Sequence, residues 1–458
     1  MRDGRGRVAP AVATAALLVI AVTTAAVLLV RADRPDRRAT AARPSPSPVV
    51  PSPSPVLLPA AAGGLLPTAA GLTHALAGLL RDRRLGSRLS YSVVDAESGD
   101  ALASGNAARP ATPASVAKLT TAFAVLAGPG PQARITTRVV AGAAPGEVVL
   151  VGGGDPTVSV DGHQAYAGAP RLDIFAAAIR KAHPQPITRL IVDGSAFTGP
   201  VTGQGWDSDL VSSGNVAPIT AVMVNGGRVS ASVRARSTAP DLTAGQALAR
   251  LLGVPAAAVA RGTAPAGATA VAGIVSAPVS VLVEEMLAAS DNVLAEALAR
   301  QVAIAAHQPA NFTGAAAAVR SALARAGIAV GSLRLVDGSG LSRLDLVSAA
   351  LLTGALSAAA SEAHPQLRSL LTGLPVAGFS GTLDERYRVG ATRGAAGEVR
   401  AKTGTLSGVS ALAGVVRDAD GRLLAFAVLA DRVPAGGTLG AEAALDAVAT
   451  ALARCGCR

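Results

Sequence analysis

An uncharged apolar run from Val8 to Val30 gives way, between Ala39 and Pro59, to a stretch where proline recurs at alternate positions: Pro44-Ser45-Pro46-Ser47-Pro48 and Pro51-Ser52-Pro53-Ser54-Pro55. Proline offers no backbone donor and fixes φ, so this stretch can enter neither a helix interior nor a central strand and stays extended. Any packed core must be built beyond it. The apolar run has a basic front at Arg2, Arg5 and Arg7 and is followed by Arg31, Arg34, Arg37 and Arg38. It exceeds the ~7–15 apolar residues of a cleaved signal and reaches the ~20 that span a bilayer. No small-x-small cleavage pattern sits cleanly at its end. Residues 1–38 read as a basic segment and signal anchor with its apolar span at 8–30, and residues 39–62 as a linker. The rest is expected to be the extracytoplasmic part of a single-pass cell-membrane protein, or a secreted protein if the signal is cleaved.

The net charge of +11 raises nucleic acid as a partner, and its distribution argues against one. Eight arginines and three aspartates lie within residues 1–43, and the remaining excess is dispersed. No basic block is interleaved with aromatics, and six Phe, three Tyr and one Trp leave little to stack on bases. Only Lys118, Lys181 and Lys402 among the 41 basic residues are lysines. Arginine stays protonated in proteins, whereas a lysine amine can be shifted far enough to act as a base. Lys181, beside Arg180 and His183, reads as a solvated helix face; the other two lysines fall in chemical motifs. Cys455 and Cys457 are too few for a disulfide framework or metal cluster and too close for an unstrained bridge. Pairing, cross-linking of chains and free thiols all stay open for them.

Beyond the linker, residues 65–84 carry a helical pattern, followed by two short strands at 89–94 and 101–104. A helix beginning near Pro113 runs to Leu126 and stops at Gly128-Pro129-Gly130. Residues 133–272 change character. Strands are expected at 135–140, 147–151, 187–192 and 228–233, with one helix at 174–183, so this segment reads as an inserted β-rich domain. Helical periodicity returns at 279–289 and 293–306, and the end reads as strands at 399–402, 409–416 and 423–429 before a helix at 439–453. The expected catalytic domain is therefore residues 63–132 plus 273–458, of α/β (α+β) class.

Three short motifs stand in order. Ser115-Val116-Ala117-Lys118 opens a helix, Ser290-Asp291-Asn292 lies between two helices, and Lys402-Thr403-Gly404 ends an edge-like strand. Each alone is ordinary: a first turn, a helix cap, a strand end. Together they supply a reaction. Residues three apart on a helix share a face, so the Ser115 hydroxyl and Lys118 amine can touch as nucleophile and base. A free lysine, with a pKa near ~10.4, is a poor base at neutral pH, but burial and the charge of Lys402 would lower it. The helix start offers the Ser115 N–H to an oxyanion. Ser290 can relay a proton between Lys402 and a leaving amine, and Asn292 offers an amide to a substrate peptide bond. Thr403 and Thr405 suit a terminal carboxylate beside a lysine charge, and Gly404 lets a substrate backbone approach the strand.

Competing chemistry lacks its residues: there is no Gly-x-Ser-x-Gly elbow, His-Glu-x-x-His or phosphate-binding Gly-Lys-Ser/Thr loop, and five scattered histidines show no metal spacing. No metal and no cofactor are expected. The three motifs resemble the signature set of penicillin-binding proteins and serine β-lactamases. With Gly152-Gly153-Gly154-Asp155-Pro156, the loop Asp337 to Arg343 and the stretch Leu374 to Leu383, the chain is similar to the D-alanyl-D-alanine carboxypeptidase/endopeptidase family, the class C low-molecular-mass penicillin-binding proteins, over about residues 65–453. The long insert between Ser115 and Ser290 sets that family apart from class A β-lactamases. The resemblance implies a transpeptidase-like domain, an acyl-enzyme on Ser115, peptidoglycan stem peptides as substrate and β-lactams as acylating inhibitors. It implies a carboxypeptidase, with endopeptidase action as a further option. The alternatives are a serine β-lactamase or esterase, disfavoured by the absence of a Glu-x-x-Leu-Asn deacylation motif, and a catalytically silent wall-binding protein.

Overall fold

The computed structural model describes residues 64–458; the expected signal anchor and linker lie outside the described residues. Strands β1 (Leu89–Asp95), β2 (Ala101–Gly105), β8 (Val399–Leu406), β9 (Val409–Arg417) and β10 (Leu423–Ala430) form an antiparallel sheet in the order β2-β1-β10-β9-β8. The first and last parts of the chain thus meet in one sheet. The β9–β10 turn is built by Asp418, whose Oδ1 accepts from the backbone N–H groups of Asp420 and Arg422. Gly421, at φ +86°, supplies the left-handed residue of that turn.

Side chains alternate across a strand, and β9 and β10 are apolar on both faces. Ala411, Ala413, Val415, Ala425, Ala427 and Leu429 face one core with helices α2 (Lys118–Ala127), α5 (Val279–Ala288), α6 (Asn292–Ala305), α7 (Phe312–Arg325) and α8 (Ala349–Ala360). Leu412, Val416, Leu424, Phe426 and Val428 face a second core with α1 (Ala69–Ala77) and α10 (Thr438–Ala453). Alanine on the first face leaves room for a crowded helical layer. A short helix, α9 (Arg368–Thr372), completes that layer.

Between α2 and α5 the chain forms a second sheet, ordered β6-β5-β4-β3-β7, from β3 (Thr136–Ala141), β4 (Glu147–Val151), β5 (Arg189–Asp193), β6 (Val259–Arg261) and β7 (Ala270–Val275). Strands β4, β5 and β6 are parallel, while β3 is antiparallel to β4 and β7. Helices α3 (Leu172–Ala182) and α4 (Pro240–Leu252) pack on it through Phe175, Ile179, Ala244 and Leu248. This segment carries more helix than its strand-and-turn pattern implies, with α4 as a second helix. The strand expected at 228–233 is absent, and one isolated bridge joins Arg228 to Arg236. Three arginines and two serines within residues 228–236 leave that run too polar to bury a strand face. Cys455 and Cys457 are bonded to each other, with Cα atoms 4.9 Å apart.

Candidate active site

Ser115 lies in a 3-10 turn, Ala114–Ala117, and Lys118 is the first residue of α2. In a 3-10 turn positions i and i+3 eclipse, which sets the two side chains one above the other more tightly than an α-helix would. Lys118 Nζ is 2.9 Å from Ser115 Oγ, 2.7 Å from Asn292 Oδ1 and 2.7 Å from the Ser339 carbonyl oxygen. Asn292 Nδ2 donates to the Asn215 carbonyl at 2.9 Å, so both ends of the amide demand the same orientation. The Asn292 and Ser339 oxygens can only accept. A neutral amine with two hydrogens satisfies both and turns its lone pair toward the Ser115 hydroxyl.

Lys118 is fully buried, and burial pulls its pKa down to about 8. The acidic groups of Asp337, Asp291 and Glu296 oppose that shift. Lys402 is also fully buried and lies well below the ordinary lysine range, first from burial and then from the charge of Lys118. Its Nζ donates to the Thr403 carbonyl at 2.9 Å.

Strand β8 carries Lys402, Thr403, Gly404 and Thr405 within its length rather than at its end, and it is an edge strand. A Cβ on Gly404 would lie 2.6 Å from the Pro113 carbonyl oxygen and 3.2 Å from Val116. The approach this glycine permits is first of all that of the serine turn to the strand. The Thr403 hydroxyl pairs with that of Thr382 at 2.8 Å, and Thr405 Oγ1 donates to Glu442 Oε1 at 2.9 Å. A carboxylate arriving at Thr405 has to replace Glu442.

Ser290 adopts φ +55°, a strained value for a residue other than glycine, in a loop shaped by Asp291. Asp291 caps α6 through Leu294 N at 2.9 Å and accepts from the Tyr166 hydroxyl at 2.8 Å, with Arg228 3.6 Å away. The capping reading holds for Asp291, and Ser290 and Asn292 flank that cap. Ser290 lines a groove with Asn292.

Beneath Lys118 lies a polar cluster that motif spacing alone did not reveal. Glu296 Oε1 accepts from Gly338 N at 2.9 Å, and its Oε2 pairs with Arg300 at 3.1 Å, both side chains inaccessible to solvent. Burial and Asp337 raise the Glu296 carboxyl to about 7 and the Asp345 carboxyl to about 10. Asp337 accepts from the N–H groups of Ser339, Gly340 and Ser342 and from Trp206 Nε1, fixing the loop whose Ser339 carbonyl holds Lys118. The available signal was Glu296 and Arg300, four apart on an otherwise uncharged helix. Among the described residues no cluster of His, Cys, Asp or Glu could hold a metal ion.

The model of the D-Ala-D-Ala carboxypeptidase 3 (S13) family matches residues 72–238 and 231–452. The chain belongs to the S13 family. It is 42% identical over 428 residues to a carboxypeptidase of Mycobacterium tuberculosis, covering 92% of each chain. It is 40% identical over 449 residues to carboxypeptidase DacB of Mycolicibacterium smegmatis, covering 96% of this chain and 95% of the relative. Penicillin-binding protein 4 of Haemophilus influenzae shares the fold, with a TM-score of 0.67 at 22% identity, over 84% of this chain and 98% of that one. The expected α+β class, the penicillin-binding-protein-like fold and the family resemblance all hold for this S13 member.

Proposed function

We propose that this S13-family chain is a serine-type D-alanyl-D-alanine carboxypeptidase that acts on peptidoglycan stem peptides through an acyl-enzyme on Ser115. The observation that carries the reading is the Lys118 amine, held between two acceptor oxygens with Ser115 Oγ as its third partner. Lys118 takes the hydroxyl proton as Ser115 Oγ attacks the carbonyl of the terminal peptide bond. The tetrahedral oxyanion forms beside the Ser115 N–H at the helix start. Ser290 passes a proton between Lys402 and the departing D-alanine amine, and Asn292 orients the peptide. Water then hydrolyses the ester, with Lys118 again as base. The substrate's terminal carboxylate goes to Thr403 and Thr405 on β8.

The same nucleophile would open a β-lactam ring and retain the acyl group. The reading is supported by the S13 match and by relatives named as carboxypeptidases. A fluorescent penicillin should label the wild type one-to-one and leave Ser115→Ala unlabelled; a folded wild type that stays unlabelled would overturn the reading, and rapid turnover of penicillin would make the chain a β-lactamase. No helix of the described residues is long and apolar enough to cross a membrane. The proposed anchor is the sequence run 8–30, and retention of the full chain in a washed membrane fraction, lost on deleting residues 1–38, tests it.

A further inference from the structure

We propose that Glu442 is a specificity-determining residue that turns the enzyme toward peptides whose leaving residue carries a carboxamide in place of a free α-carboxylate. This rests on the carboxypeptidase reading, which brings the terminal carboxyl of the leaving residue to Thr403 and Thr405. What that carboxyl meets there is set by the protein's own groups.

The seat is an open strand edge. Residues 375–377 cover the start of β8, with Ala377 N on the Val399 carbonyl and Ala401 N on the Pro375 carbonyl, both at 2.9 Å. Among the described residues no strand pairs with this edge beyond Ala401. Side chains alternate along a strand, so Thr403 and Thr405 lie on the face that Val399 and Ala401 turn toward α10, opposite Lys402. Glu442, in the second turn of α10, meets Thr405 there, accepting its hydroxyl at 2.9 Å.

The Glu442 carboxylate has no cation to balance it. Arg386 donates to the Glu442 carbonyl at 3.3 Å, but its charge is paired with Asp446, one turn further on, at 2.9 Å. Lys402 is buried with its Nζ on the Thr403 carbonyl, and Arg343, which reaches the Ser407 carbonyl just past the strand, is paired with Asp207 at 3.2 Å. Among the described residues no lysine, arginine or histidine lies within salt-bridge distance of Glu442. A free carboxylate on Thr405 would share the seat with this negative charge or push Glu442 out to water.

A carboxamide has the same shape and does neither. Its N–H donates to Glu442, and its oxygen accepts from Thr403, whose hydrogen is free when Thr382 is the donor of their 2.8 Å hydroxyl pair. A like charge set against one ligand, with hydrogen bonds satisfied for the other, separates two groups of equal size.

The test uses diacetyl-L-Lys-D-Ala-D-Ala and the same peptide with its C-terminal carboxyl amidated. Binding is measured on the full chain carrying Ser115→Ala, so that turnover plays no part. The carboxamide should bind about tenfold more tightly at low salt. Adding Glu442→Gln should bring the two affinities within about twofold, chiefly by tightening the free acid, while Glu442→Asp, which keeps the charge, should keep a preference for the carboxamide. Damage to the seat alone would weaken both peptides together and leave their ratio unchanged. Equal affinities in the Ser115→Ala chain, a ratio that Glu442→Gln does not move, or failure of both peptides to bind overturns the assignment. Release of D-alanine by the wild type is scored separately: its absence counts against the carboxypeptidase reading, while the binding ratio still decides Glu442.

Discussion

At the residue scale the decisive group is Lys118. Its pKa of about 8 balances burial, which favours the neutral amine, against the acidic groups of Asp337, Asp291 and Glu296, which favour the ammonium. Only the neutral form accepts the Ser115 proton, so acylation by penicillin should rise with pH about tenfold per unit below 8 and level off above it. Stopped-flow labelling across pH 5–10 gives the midpoint, and a flat profile would count against Lys118 as the base. Glu296→Gln removes one charge that supports the ammonium, so the midpoint should move down. An unmoved midpoint in that variant would show that the cluster does not tune the lysine.

At the element scale the site depends on three backbones meeting. Gly340 has φ +80°, and a Cβ there would overlap the Ala114 carbonyl oxygen in the serine turn, where Ala114 itself has φ +48°. Gly340→Ala should therefore destabilise the protein by about 1–3 kcal/mol in urea unfolding and slow acylation by displacing Ser115. On α6, Arg300 sits over the rings of Phe312 at 4.2 Å and Phe197 at 5.5 Å while pairing with Glu296. Arg300→Ala leaves Glu296 buried without its cation and should cost about 3–5 kcal/mol in the same measurement. Motif readings missed both features, because a turn's need for glycine at one residue and a helix's buried ion pair are properties of neighbours distant in sequence.

At the scale of the whole molecule, the segment between α2 and α5 supports the reaction as well as forming its own sheet. Tyr166 and Arg228 hold Asp291, Asn215 holds Asn292, and Trp206 holds Asp337. Tyr166→Phe should cost only about 0.5–1.5 kcal/mol of stability, the usual worth of a hydrogen bond, yet slow acylation several-fold by loosening the Ser290–Asn292 loop. Lost stability with an unchanged acylation rate would reduce Tyr166 to a packing role. Penicillin labelling kinetics and a urea titration on one preparation separate the two outcomes.

The sequence by itself determined the three motifs, their order and the chemistry their residue types allow, because nucleophile, base and turn signals are local. Scarce lysine made two of them stand out, and the turn Asp418-Ala419-Asp420-Gly421 between two apolar runs made β9 and β10 readable. Tertiary structure alone decided what holds Lys118. The Ser339 carbonyl is 221 residues from Lys118 in sequence, Asn292 is 174 from it, and the Asn215 carbonyl is 77 from Asn292. Which backbone oxygen faces an amine depends on how those loops pack, and no local pattern encodes that.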